Sequence, residues 1–159
     1  MDSAGRVTVN EMHMTENEKN KLLIIDDEEN MRHMLSNMLQ KSGYRVDTAS
    51  DGENALEMVG QTLYDFILCD LKMPKMSGME FLKSAREKID ATTVIMMSAY
   101  GTIDTAVEAI KLGAYDFISK PFQSDEVLLK LKKAEERESL KRENLQLKER
   151  IRKIGEDFN

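Results

Sequence analysis

The sequence has little of several features that would mark a chain for a membrane, an oxidising compartment or a nucleic acid. It contains one cysteine, Cys69, so an internal disulfide is excluded and a reducing compartment is expected. No apolar run approaches the roughly 20 residues that span a bilayer, and the first residues lack the apolar core of a signal peptide. There is no basic excess, since 23 lysines and arginines face 29 acidic residues and give a net charge of −6. We therefore expect a cytoplasmic protein that contacts neither membrane nor nucleic acid directly.

What is present suits one domain with a real core and a smaller appended element. Of the 159 residues, 41% are apolar, which is enough for a single buried core. Residues 1–20 are polar and show no usable periodicity, so they are predicted to be a disordered tail or a remnant of cloning. Residues 21–134 are predicted to form the folded domain, and residues 135–159 a helical linker.

Five short apolar runs alternate with five segments of helical periodicity along the predicted domain. The runs predicted to be strands are 21–26, 44–49, 66–70, 93–98 and 116–120. Every spacing between them is long enough for the crossover connection that parallel strands require. Right-handed crossovers then give an α/β fold: a doubly wound, five-stranded parallel sheet of the flavodoxin-like order 2-1-3-4-5, with a C-terminal helical extension.

The C-terminal extension carries its apolar residues at alternating steps of four and three, which is the spacing of a coiled coil. The predicted dimer seam consists of Leu140, Asn144, Leu147, Ile151 and Ile154. Asn144 falls at an a position, where one buried asparagine sets the register and favours two strands. Glu136 and Glu143 at g positions would attract Lys141 and Lys148 at e positions across a parallel seam. We therefore predict a homodimer through this helix. The alternative is an amphipathic helix that packs back on its own domain.

Polar side chains stand at the carboxyl ends of four predicted strands. Asp26 and Asp27 follow the first strand, Asp70 ends the third, Ser98 the fourth and Lys120 the fifth. In an open α/β sheet these ends share the edge where ligands bind. Three carboxylates there would repel by about 4 kcal/mol per pair at ~4 Å and an effective dielectric of ~20. Such a cluster either raises a pKa or binds a cation, and oxygen ligands of this kind suit Mg²⁺ or Mn²⁺.

A carboxylate nucleophile, a divalent cation, a lysine and a hydroxyl together suit in-line phosphoryl transfer onto Asp70. Lys120 and the cation would neutralise charge as it develops on the phosphoryl oxygens. Each residue also has a simpler interpretation. Asp26 and Asp27 could cap the first helix, Lys120 could be a solvated charge, and Ser98 could be an ordinary turn hydroxyl. The indication of a reactive site comes from all five lying at one edge.

With these residues at the strand ends, the chain resembles the receiver domain of bacterial two-component response regulators. The resemblance rests on the stretches LLIIDDE, DLKMPKMSG, MMSAYG and FISKP, and it covers most of the chain. It implies that Asp70 accepts a phosphoryl group from a sensor histidine kinase. It also implies that Asp27, Asp70 and the backbone carbonyl of Lys72 ligate Mg²⁺, with Asp26 acting mostly through water.

The same resemblance implies a conformational switch. Ser98, with Ala99 beside it, and Lys120 would bind the phosphoryl group, and Ser98 would move toward it. Phe117, three residues before the lysine, matches the family's switch aromatic, and the peptide bond before Pro121 is expected to be cis. The face formed by the fourth helix, the fifth strand and the fifth helix would carry the change.

The stretch SAYGTIDTAVEAIKLGAYDFISKPF, together with the helical extension, is similar to regulators of the NtrC type. In these regulators a helical linker joins the receiver to an AAA+ ATPase and a DNA-binding domain, which together activate sigma-54 promoters. This chain has no Walker A sequence and no helix-turn-helix candidate, so the resemblance implies the N-terminal regulatory part, or a fragment, of a transcription activator.

Three other classes of protein compete with this interpretation. A flavodoxin-like cofactor binder is discounted because Asp27, Glu28 and Glu29 would repel a flavin phosphate. A phosphatase that forms an aspartyl phosphate on a similar α/β fold is the main alternative. Such enzymes usually carry a second acid two residues after the nucleophile, where this chain has Lys72. A purely structural dimer module would not need Asp70. We therefore expect a signalling domain rather than an enzyme.

Overall fold

A computed structural model describes residues 20–99 and 101–157, so the predicted tail lies outside the described residues except for Asn20. The strands are β1 Lys21–Ile25, β2 Arg45–Ala49, β3 Phe66–Asp70, β4 Thr93–Ser98 and β5 Asp116–Ser119. The helices are α1 Glu29–Lys41, α2 Gly52–Gln61, α3 Gly78–Ala85, α4 Ile103–Lys111 and α5 Ser124–Asp157. The predicted alternation of strands and helices is therefore confirmed.

The described strands form one parallel sheet in the order β2-β1-β3-β4-β5, as the sequence predicts. Every residue of β3 and β4 is buried, because helices cover both faces of a doubly wound sheet. β2, at one edge, buries only Ala49 fully. The order reverses between β1 and β3, and such a switch point is where open α/β sheets bind their ligands.

Short polar side chains fix where the helices begin. Asp51 accepts a hydrogen bond from the N–H of Asn54 at 2.7 Å, and Ser77 accepts one from the N–H of Glu80 at 3.2 Å. Each bond satisfies a backbone donor that the first helical turn leaves unpaired. α1 ends before Gly43, whose φ of 99° lies in the left-handed region that glycine adopts most easily.

Two strands end one residue earlier than predicted, at Ile25 and Ser119. The carbonyl of Asp26 accepts from the guanidinium of Arg32 at 2.7 Å and so is engaged by α1. The N–H of Lys120 still donates to the carbonyl of Ser98 at 2.9 Å, but the next residue, Pro121, has no N–H to continue the ladder.

The turn after Asp70 folds back tightly onto the strand that it leaves. The N–H of Gly78 donates to the carbonyl of Leu71 at 2.8 Å. A Cβ at Gly78 would collide with the carbonyl oxygen of Asp70 and with the methyl group of Met96. Glycine is required here for close approach, and it lets α3 begin directly beside the end of β3.

The residues up to Phe122 form one compact unit, and those from Gln123 onward form a second. In the second unit Val127, Leu131 and Ala134 are buried, whereas the apolar residues beyond them are exposed. None of the helices in the described part of the chain has the length and apolar character needed to cross a membrane.

Candidate functional site

The pairing of β1 with β3 brings two acidic residues side by side. Ile25 is in register with Cys69, so the chain continues into Asp26 on one strand and Asp70 on the other. One carboxylate oxygen from each of Asp26, Asp27 and Asp70 lies within 4.8 Å of the other two. Asp26 is fully buried, Asp70 is 5% exposed and Asp27 is exposed. The structure thus brings together the three acids that the sequence places at this edge.

Asp26 is held by donors from three directions. Its Oδ2 accepts from the ammonium of Lys120 at 2.9 Å, and its Oδ1 accepts from the N–H of Glu28 at 2.9 Å. Its carbonyl accepts from Nη1 of Arg32 at 2.7 Å. Glu28 is the residue at the N-cap of α1, so the hydrogen bond from its N–H to Oδ1 of Asp26 lies just before the helix, and Asp26 is not the cap. The other oxygen faces the pocket.

Lys120 lies inside the pocket, and its side chain is only 10% exposed. Its Nζ is 2.9 Å from Asp26 and 3.6 Å from Oδ1 of Asp70. Burial alone would lower the pKa of Lys120, but the hydrogen bond and charge of Asp26, with the charges of Asp70 and Glu28, outweigh burial and raise it. The simpler interpretation as a solvated surface charge is therefore wrong, and Lys120 is a fixed cation in the pocket.

Asp70 lies in excess negative charge. Burial and then the charge of Asp26 raise the pKa of Asp70 to about 6, with a smaller contribution from Asp27. The charge of Lys120 and a hydrogen bond from the backbone of Lys72 act in the opposite direction without cancelling the rise. The pocket therefore favours any added positive charge near Asp70, and its oxygen donors are those that Mg²⁺ prefers.

The predicted phosphoryl-binding residues lie around this cluster. Ser98 ends β4 and is buried, one residue beyond Met97, which is in register with Asp70. Ala99 follows it and is exposed. Since the N–H of Lys120 donates to the carbonyl of Ser98 at 2.9 Å, the two residues are tied through the backbone. Hydroxyl and ammonium thus come from neighbouring strand ends.

Phe117, the predicted switch aromatic, is half-buried on β5 and packs against the edge of the core. Its ring lies so close to Gly101 that a Cβ there would overlap it. The Lys120–Pro121 peptide bond is cis, as the resemblance implies.

Sequence reasoning did not single out Arg32 or Gly101. Arg32 could have been found from its position, because a basic residue near the start of a helix can reach back to an acidic pair that precedes the helix. Gly101 carries no such signal, because its contact depends on where a distant ring lies.

The predicted dimer seam lies on α5. Leu140, Leu147, Ile151 and Ile154 are each more than half exposed, and Asn144 lines the same shallow groove as Leu140. The predicted seam is therefore a row of exposed apolar side chains, interrupted by Asn144, within the second unit.

This fold and this cluster define a class of signalling domain, and comparison with known proteins gives the same answer. Residues 22–132 match the family model described as the response regulator receiver domain. The match covers well over half of the 159 residues, and the chain belongs to this family. It is a receiver domain of two-component response regulators.

The chain is 40% identical over 124 residues to the regulatory protein AtoC of Escherichia coli (strain K12), covering 78% of this chain and 27% of that protein. It thus spans about a quarter of the length of that relative. It is also similar to the solution structure of the beryllofluoride-activated NtrC4 receiver domain dimer, with 36% identity, a TM-score of 0.69, and coverage of 72% of this chain and 95% of that one.

A third similar protein is a response regulator from Burkholderia pseudomallei, solved with a phosphorylated aspartic acid, a calcium ion and citrate. It is 28% identical with a TM-score of 0.68, and the match covers 77% of this chain and 72% of that one.

Proposed function

We propose that Asp70 is the residue phosphorylated in this receiver domain and that the donor is a phosphohistidine of a sensor kinase. One observation carries the proposal: a buried carboxylate stands 3.6 Å from a buried lysine, with two further carboxylates beside it. In the reaction, an oxygen of Asp70 forms a bond to phosphorus as the bond from phosphorus to the histidine nitrogen breaks. The electron pair of that bond returns to the imidazole.

Each group in the pocket has a role in this transfer. Lys120 stays protonated, since its pKa is raised, and its Nζ can approach a phosphoryl oxygen while Asp26 holds it. Ser98, with Ala99 beside it, supplies donors to the other phosphoryl oxygens. Lys72 stands where an aspartyl phosphatase usually carries its second acid, so the acyl phosphate is not set up for rapid turnover. We therefore propose a switch and not an enzyme.

We propose that Mg²⁺, or Mn²⁺ in its place, completes the site. Asp27, Asp70 and the carbonyl of Lys72 would hold the ion directly, and Asp26 would act mostly through water because Lys120 and Glu28 already engage its carboxylate. The ion would supply positive charge to the phosphoryl oxygens. The raised pKa of Asp70, caused first by burial and then by the charge of Asp26, supports this assignment, because a cation would offset both effects.

We propose that the state of Asp70 is relayed through Ser98, Phe117 and the face formed by α4, β5 and α5 to a transcription-activating output of the NtrC, sigma-54 type. The likeness to AtoC and to the NtrC4 receiver supports this choice of class. The relay would act in the cytoplasm, where the buried free thiol of Cys69 stays reduced. This segment would not contact nucleic acid, because its net charge is −6.

We propose further that the chain forms a parallel homodimer through Leu140, Asn144, Leu147, Ile151 and Ile154 of α5. Support comes from the exposure of the apolar residues. It also comes from the heptad register, which would place Glu136 and Glu143 opposite Lys141 and Lys148 of a second chain. The NtrC4 receiver in the comparison is itself described as a dimer.

The phosphoacceptor proposal is tested by incubating the full chain with Mg²⁺ and acetyl phosphate and measuring its intact mass. We expect one phosphoryl group per chain, none in Asp70→Asn, and none in EDTA. The control is Asp90→Asn, which makes the same change at an exposed aspartate near the amino end of β4 and should leave the stoichiometry unchanged. Many turnovers of acetyl phosphate per chain would instead support the phosphatase alternative.

A further inference from the structure

The contact between Gly101 and Phe117 joins the loop after β4 to the middle of β5. A Cβ on Gly101 would overlap Cε1 and Cζ of the Phe117 ring. We call this position of the ring, against the bare Cα of Gly101, the ring seat. The contact links two segments that are close to the site, because Gly101 follows Ser98 by three residues and Phe117 precedes Lys120 by three.

Glycine is needed at this position for space and not for backbone conformation. The glycines of the described chain with φ in the left-handed region are Gly43 and Gly113, so the backbone at Gly101 suits an L-residue. What alanine would meet there is an aromatic ring. The requirement for glycine therefore comes from the ring seat.

The obstacle at Gly101 differs in kind from the obstacle at Gly78. At Gly78 a Cβ would meet backbone atoms of Asp70 and Leu71, which cannot move without unfolding the turn. At Gly101 it would meet the far end of a half-buried side chain, which can rotate to another staggered conformation. Alanine at position 101 should therefore displace the ring and leave the fold intact.

The structure assigns to Gly101 the role of a positioning residue: it provides the seat that holds Phe117 in place and so sets how readily the ring moves when the site is occupied. This inference rests on the proposed function of Ser98 and Phe117 as the switch pair. The strand pairing gives a direct path, since Met96 is in register with Phe117 and Ser98 with Ser119. A shift of the β4 end toward Asp70 would move the loop that carries the seat.

The first test follows the ring itself. The five phenylalanines are replaced by 4-fluorophenylalanine in the full chain, and Phe117→Leu assigns the ¹⁹F resonance of Phe117. We expect Gly101→Ala to move that resonance without any ligand, while those of buried Phe66 and Phe81 stay in place. An unmoved Phe117 resonance in a folded Gly101→Ala protein would overturn the inference.

The second test is a double-mutant cycle on binding of beryllofluoride with Mg²⁺, with Phe117→Ala as the second change. We expect Gly101→Ala to change the apparent affinity by about threefold or more in the native background, and by less than about twofold once the ring is gone. Equal effects in both backgrounds would show that Gly101 acts through its loop backbone and would overturn the inference.

The two failures can be told apart. If the native protein does not bind beryllofluoride, the proposed function fails, whatever the Phe117 resonance does. If the native protein binds it and Gly101→Ala behaves like the native protein in both tests, the inference alone fails.

Discussion

The sheet unit and the distal part of α5 treat their apolar residues in opposite ways. In the sheet, Leu68 and Ile95 are completely buried, as are most neighbours on β1, β3 and β4. On α5, Leu147 is 54% exposed and Ile151 is 69% exposed. Fully burying one such side chain is worth about 1.5–3 kcal/mol, so the sheet already has this stabilisation and the distal helix does not. The exposed apolar residues of the distal helix are the ones that the proposed dimer would bury.

Ion pairs in the two regions also differ in how far they are buried. Lys120 and Asp26 form a buried pair at 2.9 Å, held by further hydrogen bonds. On α5, Lys141 lies 3.9 Å from Glu138 with both side chains about half exposed. The buried pair holds the ammonium of Lys120 in a fixed position beside Asp70. The exposed pair contributes little to stability, and charges of this kind would affect binding only if a second helix lay opposite them.

The largest expected effect is on the dimer. Leu147→Asp places a charge in the predicted seam, and we expect the dimer to weaken at least about 100-fold because each chain contributes one such charge. Leu145→Asp is the matched control: it is an equally exposed leucine on the same helix but lies off the seam. Sedimentation equilibrium measures both. If both variants dissociate alike, or if neither does, the seam is not the interface.

The next effect concerns stability. Replacing glycine by alanine should destabilise the sheet unit at one position and stabilise α5 at another. Gly78→Ala would force a Cβ against the carbonyl of Asp70, and we expect it to lower the free energy of unfolding by about 2 kcal/mol. Gly155→Ala lies in α5 with no atom within 4 Å, and we expect it to raise helix stability by about 0.5–1 kcal/mol. Urea unfolding of the two variants measures both, and a stable Gly78→Ala protein would contradict the close approach.

The course of the sheet could be predicted because its central strands β1, β3 and β4 are buried on both faces and form apolar runs in the sequence. The convergence of Asp26, Asp70, Ser98 and Lys120 follows from that topology, since parallel strands end at one edge. The partner of Lys120 could not be predicted. The sequence predicts that Lys120 binds a phosphoryl group, and it does not indicate that Asp26 is the carboxylate nearest to Lys120.

Which carboxylate lies nearest to Lys120 depends on side-chain rotamers and on the conformation of a turn, and no sequence pattern specifies either. The sequence likewise does not specify which of the two adjacent acids, Asp26 or Asp27, is buried. Asp26 turns inward and Asp27 outward, because successive side chains of an extended chain point to opposite sides. The ring of Phe117 against Gly101 joins residues whose neighbourhood appears only once the loop is built.

A smaller effect tests the excess negative charge around Asp70. Its folded pKa is raised to about 6, so between the ordinary carboxyl value and 6 the folded state binds the proton more tightly than the unfolded state. The stabilisation is complete at the acid end of this window and is lost as the pH rises through about 6. In EDTA we expect Asp70→Asn to raise stability at pH 7 by roughly 1–2 kcal/mol and by less at pH 5.

Saturating Mg²⁺ should reverse the order of the two proteins at pH 7, because it stabilises the carboxylate and has less to bind in the asparagine variant. Asp90→Asn is again the control and should show neither dependence, as its side chain is exposed. Equal stability of Asp70→Asn and the native protein across this range would contradict the raised pKa of Asp70.

The smallest effect concerns the direction of the helices in the proposed dimer. In a parallel seam Glu143 at g faces Lys148 at e of the other chain, and one exposed pair contributes about 0.2–1 kcal/mol. Glu143→Lys should therefore weaken dimerisation by only a few-fold at low salt, and the loss should shrink as salt screens the charges. The double change Glu143→Lys with Lys148→Glu should restore the native affinity, because it exchanges the two signs without changing their number.

In an antiparallel seam, g residues face g residues and e residues face e residues, so the second change would not compensate the first. Sedimentation equilibrium of the three proteins at two salt concentrations thus decides the orientation, even though the energy involved is too small to decide whether the dimer forms.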